Sequence, residues 1–299
     1  MAADPLIGAV AAPELHVLSY NIRRRMPHTD ARDPDLWTRR APALARRLRV
    51  ESPSLIGFQE ALPDQAEFVQ RALGRGYRRI GRGRDASGRG EACPVVWDSS
   101  RLRLEGWTQT ALSDTPTRPG SVSWGNEVPR IVVTARFTDL ATGIAFTAVN
   151  THFDHRSTEA RLRSAAAVLE QVAATSGPTI VMGDFNTDVD SKPHRTLLHD
   201  GLLRDSWTAA ATRLTPAWGT FLDYRAPRLD RKRIDWVLVS STVEVIRVGL
   251  DARRHRGVWP SDHAAMHAVI AIGVPGNREG DRPPPVEQSE TRRIVEAPG

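Results

Sequence analysis

Thr179-Ile180-Val181-Met182 is a run of strand character that ends at Gly183 and is followed by Asp184, Phe185 and Asn186. In extended backbone, alternate side chains share a face. Asp184 and Asn186, two positions apart, can therefore address one reacting group. A carboxylate there can orient or deprotonate a water, and an amide beside it can donate to a developing oxyanion. Taken alone, the same residues also spell a Gly-Asp turn closed by an Asx hydrogen bond, which is the commoner case. The surrounding chain decides between the two.

Polar residues recur wherever an apolar run stops. Leu15–Tyr20 reads as a strand delivering Asn21, and Ser54–Phe58 as one delivering Gln59 and Glu60. Ile131–Phe137 and Ile144–Val149 alternate as a hairpin across Thr138–Gly143, and the second strand runs into Asn150-Thr151-His152-Phe153-Asp154-His155. Ile234–Val239 reads as a strand with Asp235 near its start, and Ser261-Asp262-His263 leads into a last strand over Ala264–Ile272. Pro94–Trp97 and Leu102–Trp107 complete the expected strands.

Helices are expected from Asp33-Pro34, with Asp33 as N-cap and Pro34 at the first helical position; over Pro63–Leu73; and over Ser157–Ala174, stopped by Gly177-Pro178. The Gly- and Arg-rich run Gly74–Gly90 reads as a mobile surface loop. Leu112–Glu127 is a long loop of the kind that often carries function. Strand ends are where a packed scaffold exposes reactive groups. Six such places carrying polar groups are better explained by one shared site than by separate caps and turns.

Composition narrows the class. At 299 residues and 40% apolar content, the chain suits one large α/β domain over 14–273, with a flexible leader at 1–13 and a disordered tail at 274–299. Of 41 basic residues only Lys192 and Lys232 are lysine. The arginine skew and the high pI permit a polyanionic partner without demanding one. A single cysteine, Cys93, excludes an internal disulfide and fits a reducing compartment. With no signal-peptide pattern and no run of roughly 18 apolar residues, the expectation is a cytoplasmic protein without a membrane span, and a monomer.

Ser19-Tyr20-Asn21, Gln59-Glu60, Asn150-Thr151-His152, Gly183-Asp184-Phe185-Asn186, Ile234-Asp235-Trp236 and Ser261-Asp262-His263, in that order, resemble the endonuclease/exonuclease/phosphatase superfamily. Leu112–Pro116, Pro119–Ser121 and Thr151–His155 resemble its bacterial metal-dependent hydrolase branch. The resemblance implies the deoxyribonuclease I-like fold, a four-layer α/β sandwich of two mostly antiparallel sheets packed face to face with helices outside.

It also implies roles. Glu60, helped by Asn21, would hold a hard divalent cation, Mg²⁺ with Mn²⁺ able to substitute, and Asp262 would lie near that metal. Glu91 would buttress His152, although Ala92 and Cys93 stand where bulkier residues are common. His152 would bind the phosphate or protonate the leaving oxygen. Asp184 would align the attacking water, and Asn186 would donate to phosphoryl oxygens. His263 and Arg130 would contact the phosphate, with Asp235 behind them; Arg161 is a weaker candidate. The implied activity is phosphoester hydrolysis, with a phosphodiester ahead of a monoester and nucleic acid among the possible substrates. Phosphorylated lipids, sugars or inositols are the alternative within that class. A catalytically silent binding protein is the alternative outside it.

Overall fold

A computed structural model describes residues 4–27 and 30–273. In chain order its strands are β1 (Glu14–Asn21), β2 (Leu55–Gln59), β3 (Tyr77–Ile80), β4 (Val95–Asp98), β5 (Leu102–Ala111), β6 (Ile131–Asp139) and β7 (Ala145–His152). They continue as β8 (Thr179–Asp184), β9 (Leu203–Asp205), β10 (Thr212–Arg213), β11 (Asp235–Ser240), β12 (Val243–Asp251) and β13 (Ala265–Ile272). The helices are α1 (Trp37–Glu51), α2 (Pro63–Leu73), α3 (Thr158–Ala173), α4 (Lys192–Leu198) and α5 (Ser206–Ala209).

Seven strands form one sheet, ordered β10-β12-β13-β1-β2-β4-β3, and six form the other, ordered β5-β6-β7-β8-β11-β9. Pairing is antiparallel except at β1–β2, β10–β12 and β7–β8. A parallel pair needs a crossover, and α1 and α3 supply it for β1–β2 and β7–β8.

Period-two burial explains the layering. On β1, Leu15 and Val17 face the other sheet while Leu18 and Tyr20 face the helices. On β8, Ile180 and Met182 face between the sheets and Val181 faces out; on β11, Val237 and Val239 alternate with Trp236 and Leu238. Three apolar cores result. One lies between the sheets, one under α1 and α2, and one under α3 and α4. Both faces of the central strands are covered, so they read as continuous apolar runs that stop abruptly at a polar residue.

The sheets are also joined by a polar bridge beneath that end. The Asn150 amide donates to the carbonyls of Phe58 and Pro94 and accepts from Gln59 at 2.8 Å. It fits because residue 57 is glycine: a Cβ there would lie 2.7 Å from Asn150 Oδ1.

Several expectations are corrected. The first helix starts at Trp37 with Leu36 as N-cap, because the Asp33 carboxylate is spent on the N–H of Asp35 at 2.8 Å, closing an Asx turn. The expected mobile loop Gly74–Gly90 contains β3, paired to β4 from Tyr77 to Ile80. The expected loose leader is tied down where it is described: the backbone N–H groups of Leu6, Ile7 and Gly8 all donate to the Glu51 carboxylate. The expected disordered tail, 274–299, lies outside the described residues. No helix among the described residues is long and apolar enough to cross a membrane.

Candidate active site

The register brings the polar strand ends to one edge of the sandwich. Residue 152 lies opposite 184 across the parallel β7–β8 pair, and Asp235 lies opposite Asp184 across β8–β11. Asn21 lies beside Gln59 across β1–β2. The two sheets meet at this edge through Asn21, whose Nδ2 donates to Asp184 Oδ2 at 2.9 Å and to Glu60 Oε1 at 3.0 Å.

Asp184 sits at the centre and is fully buried. Its Oδ1 accepts the N–H of Asn186 at 2.9 Å, so the Asx turn is present; its Oδ2 faces Asn21, His152 at 3.6 Å and His263 at 3.8 Å. One oxygen builds the turn and the other addresses the site. Burial, reinforced by the Asp235 carboxylate, pushes the Asp184 carboxyl up to about 7.

The turn sets Asn186 at φ 51°, a left-handed conformation that asparagine tolerates. Its Nδ2 then donates to His152 Nε2 and to the Phe153 carbonyl, each at 2.9 Å. Burial, with Arg130 and Arg84 nearby, holds the His152 pKa well below its usual value. The imidazole is therefore neutral, with its Nε2 lone pair directed at Asn186.

His263 is the opposite case. Its Nδ1–H donates to Asp235 Oδ2 at 2.9 Å. Burial opposes a charge here, but the adjoining Asp235 carboxylate outweighs it, with Asp184 and Asp262 adding, and the pKa stands well above the usual value. The backbone is clamped to suit. Thr220 Oγ1 accepts from the N–H groups of Ile234 and Asp235, and Ala264 N donates to the Thr220 carbonyl. Half-exposed Phe221 packs on the His263 ring. No signal in the sequence marks Thr220 or Phe221.

Glu60 and Asp262 face each other across the loop that follows β1. Glu60 is held in the left-handed region at φ 59°, a strained setting for a non-glycine residue. Burial disfavours its charge, but the Asn21 amide, the His263 charge and the Arg24 N–H bring its pKa below the usual value. Burial raises Asp262, and Glu60 adds to that. The Arg23 guanidinium lies between them, 3.9 Å from Glu60 and 3.6 Å from Asp262. A buried and a partly buried carboxylate with a cationic group spanning the gap are a donor set that suits a hard divalent cation. Asn21 enters this set as a strut: its amide nitrogen ties Glu60 to Asp184 and its oxygen accepts the Arg23 N–H. Asp184, Asp235 and His263 also cluster closely. There the imidazole lies between the two carboxylates, Nδ1 on Asp235 at 2.9 Å and Nε2 3.8 Å from Asp184.

Glu91 is placed differently from its expected role. It pairs with Arg84 at 2.9 Å and Arg24 at 3.5 Å, and makes no hydrogen bond to His152. The contact that fixes His152 is Asn186. Arg84 was concealed among the many arginines of its stretch. Arg130 is buried; its Nε donates to Asp154 at 3.3 Å, its second terminal nitrogen meets His155 at 3.0 Å, and the remaining one, NH1, is buried without a partner. An unpaired buried guanidinium nitrogen at the His152 hollow is a ready oxyanion contact. Asp154 and His155 thus serve to aim Arg130. Arg161 is turned away, donating to the Asp154 carbonyl and to Thr158.

A two-sheet sandwich carrying this edge of acids, histidines and amides defines a phosphoesterase class. The chain belongs to the Endonuclease/Exonuclease/phosphatase family, whose model matches residues 18–263. It is similar to an endonuclease/exonuclease/phosphatase family protein from Bacteroides thetaiotaomicron, with 29% identity over 87% of this chain and 98% of that one, at a TM-score of 0.80. A Bacteroides vulgatus family member gives 28% identity, coverages of 87% and 99%, and a TM-score of 0.80. A mannosyl-6-phosphatase from Bacteroides thetaiotaomicron gives 29% identity, coverages of 86% and 99%, and a TM-score of 0.78. No curated protein sequence matches the chain.

Proposed function

We propose that the protein is a divalent-cation-dependent phosphoesterase, Mg²⁺ being the natural ion and Mn²⁺ able to substitute, and that its substrate is a small phosphorylated metabolite. The observation that carries the chemistry is the Asp235–His263 pair aimed at Asp184, with Glu60 and Asp262 alongside. Glu60 and Asp262 would hold the cation. When bound, that ion neutralises charge on the phosphoryl group and positions it.

The side chains divide the remaining work. Asp184, with a pKa near neutrality, orients a water and can take its proton. Asn21 fixes which oxygen of Asp184 faces the substrate. Protonated His263 donates to a phosphoryl oxygen through Nε2, while Asp235 holds the ring and its charge. Arg130 NH1 supplies a further donor, while the Asn186 amide, spent on His152 and the Phe153 carbonyl, holds His152 in place. His152, neutral, contacts the phosphate or the leaving oxygen. Glu91 acts by holding Arg84 and Arg24.

A small substrate is favoured over a polynucleotide because the arginines nearest the site are already paired. Arg23 bonds Asp35 at 3.0 Å, Arg24 meets Glu91 at 3.5 Å, Arg25 bonds Asp64 at 2.5 Å and Arg84 bonds Glu91 at 2.9 Å. Arg78 is on β3, whose Tyr77 end lies at the sheet edge away from Glu60, and its guanidinium bonds the Arg75 carbonyl. Each of these four guanidiniums already shares its charge with a carboxylate. Among small substrates we favour a sugar phosphate monoester over the expected diester, on the likeness to a mannosyl-6-phosphatase. The test is turnover with Mg²⁺ on sugar phosphates, p-nitrophenyl phosphate, bis-p-nitrophenyl phosphate, plasmid and abasic duplex. Release of phosphate from the monoesters is expected. Exclusive action on the nucleic acids would overturn the substrate reading, and full activity in excess chelator would overturn the metal requirement.

A further inference from the structure

Beside the catalytic edge, the loop 82–88 and the segment 109–120 enclose a cleft of about 220 Å³. Arg84 and Ile131 line it, and the same two residues line the water-sized hollow at Arg130 and His152. The cleft therefore lies next to that hollow, with Arg84 and Ile131 as the shared wall.

Its walls are fixed before any ligand arrives. Gln109 on β5 clamps the first loop by accepting the Arg82 N–H at 2.8 Å and donating to the Arg82 carbonyl at 3.2 Å. At the rim the loops touch backbone to backbone. Gly120 has φ +75°, and a Cβ there would lie 2.6 Å from Ala86 N.

The lining also says what the cleft suits. The Asp85 and Ser87 side chains are consumed within their own loop. The Arg82 guanidinium, stacked over Trp107, and the Thr117 hydroxyl make no hydrogen bond among the described residues, and Thr110 accepts from Gln171 with its own O–H unused. Arg84, which spends one terminal nitrogen on Glu91, is a further lining residue. These are donors spread around a volume below the roughly 300–1,000 Å³ of sites for drug-sized ligands. One ring-sized, acceptor-rich group fits; a base-paired polymer does not.

We propose that this cleft is the subsite for the non-reacting part of the substrate, a polyhydroxylated ring or polyol bearing the phosphate that the catalytic edge hydrolyses. This rests on the monoester reading above. Arg84, at the partition, would contact the bridging or phosphoryl oxygens while Arg82 and Thr117 bind hydroxyls.

The test compares hexose and polyol phosphates with p-nitrophenyl phosphate, which has no hydroxyls for the cleft. The probe variant is Arg82→Ala/Thr117→Val, at two exposed positions, and Arg118→Ala outside the cleft is the control. In the double variant the ratio of kcat/KM for the hexose phosphate to that for p-nitrophenyl phosphate is expected to fall by about tenfold or more, the worth of two lost hydrogen bonds, chiefly through KM. The control should keep the wild-type ratio, and the Tm of both should hold. An unchanged ratio in the double variant overturns the subsite. Wild-type protein that cleaves p-nitrophenyl phosphate but prefers no hydroxylated phosphate overturns the substrate class alone. Protein inert on every monoester overturns the underlying reading and this one with it.

Discussion

Replacing Asp235 with asparagine isolates one charge at the centre of the site. Asp235 is fully buried, and its Oδ2 lies 2.9 Å from His263 Nδ1. Asparagine keeps the size and can still accept the same hydrogen bond, so the imidazole stays in place while its counter-charge disappears. Two unit charges about 4 Å apart interact with about 4 kcal/mol at an effective dielectric constant of 20. At 1.36 kcal/mol per factor of ten, losing that support from a protonated imidazole in the transition state should cost about 10³ in kcat. The carboxylate opposite it changes too: Asp184 loses a like-charged neighbour, so its pKa should fall from near 7. The assay is kcat on p-nitrophenyl phosphate with saturating Mg²⁺, together with NMR titration of His263 and a thermal melt. The expected result is a loss of about three decades, a lowered His263 pKa and a melt within a few degrees of wild type. A kcat within tenfold of wild type would refute the role given to the pair. An unfolded variant would make Asp235 a structural residue, and the conservative Asp235→Glu would then fail to recover activity.

Other consequences follow from the same geometry. Glu60→Gln should weaken Mg²⁺ binding by tenfold or more with the fold intact; unchanged affinity by calorimetry would remove Glu60 from the metal set. Polynucleotide binding measured from low to moderate salt should show a shallow log–log slope, far from about −0.9 for each of many phosphates contacted, because Arg23, Arg24, Arg25 and Arg84 are paired with carboxylates. A steep slope abolished by charge reversal at Arg82 and Arg89 would restore the nucleic-acid reading. Acid should destabilise the fold through the buried pair His16–His267, faced by Glu51, Arg47, Asp251 and Arg253. Burial and the neighbouring His267 lower His16 from 6.5 to about 3. The unfolded chain therefore binds the extra proton between those values, and stability is lost as pH falls from about 6.5 toward 3, by about 1.4 kcal/mol per unit and a few kcal/mol at most. Urea melts at pH 7 and 5 should show this slope, and His16→Gln should flatten it; equal slopes would refute the assignment.

The parts legible in the sequence are those that local chemistry dictates. Strands buried on both faces announce themselves as apolar runs, and the polar residue where each run stops is visible by contrast, which is how Asn21, Glu60, His152, Asp184, Asp235 and Asp262-His263 stand out. β3 was hidden because an edge strand of four residues, Tyr77-Arg78-Arg79-Ile80, buries only its two ends and sits in a run dense with glycine and arginine. The start of α1 was misplaced because Asp33-Pro34 satisfies the capping pattern and the Asx-turn pattern equally. What periodicity cannot carry is pairing. Glu91 bonds Arg84, seven positions away, and Arg130 is aimed by Asp154 and His155 from the loop after β7.

The arginine content is where this matters most for function. A chain whose basic residues are nearly all arginine looks, by composition, like a binder of polyanions. In the folded protein the guanidiniums nearest the site are committed to Asp35, Glu91, Asp64 and Asp154, and Arg40 is fully buried, donating to the carbonyls of Ile22, Arg23, Arg24, Asp35 and Pro260. Arginine suits that task because its planar fork satisfies several acceptors from one charge. At the catalytic edge the groups placed to meet an anion are His263 and the unpaired nitrogen of Arg130, with Arg84 and Arg82 beside them. That set can grip one phosphate and one polar group beside it. An extended backbone would have to break ion pairs that hold the loops around the site, and each broken pair would subtract from its binding.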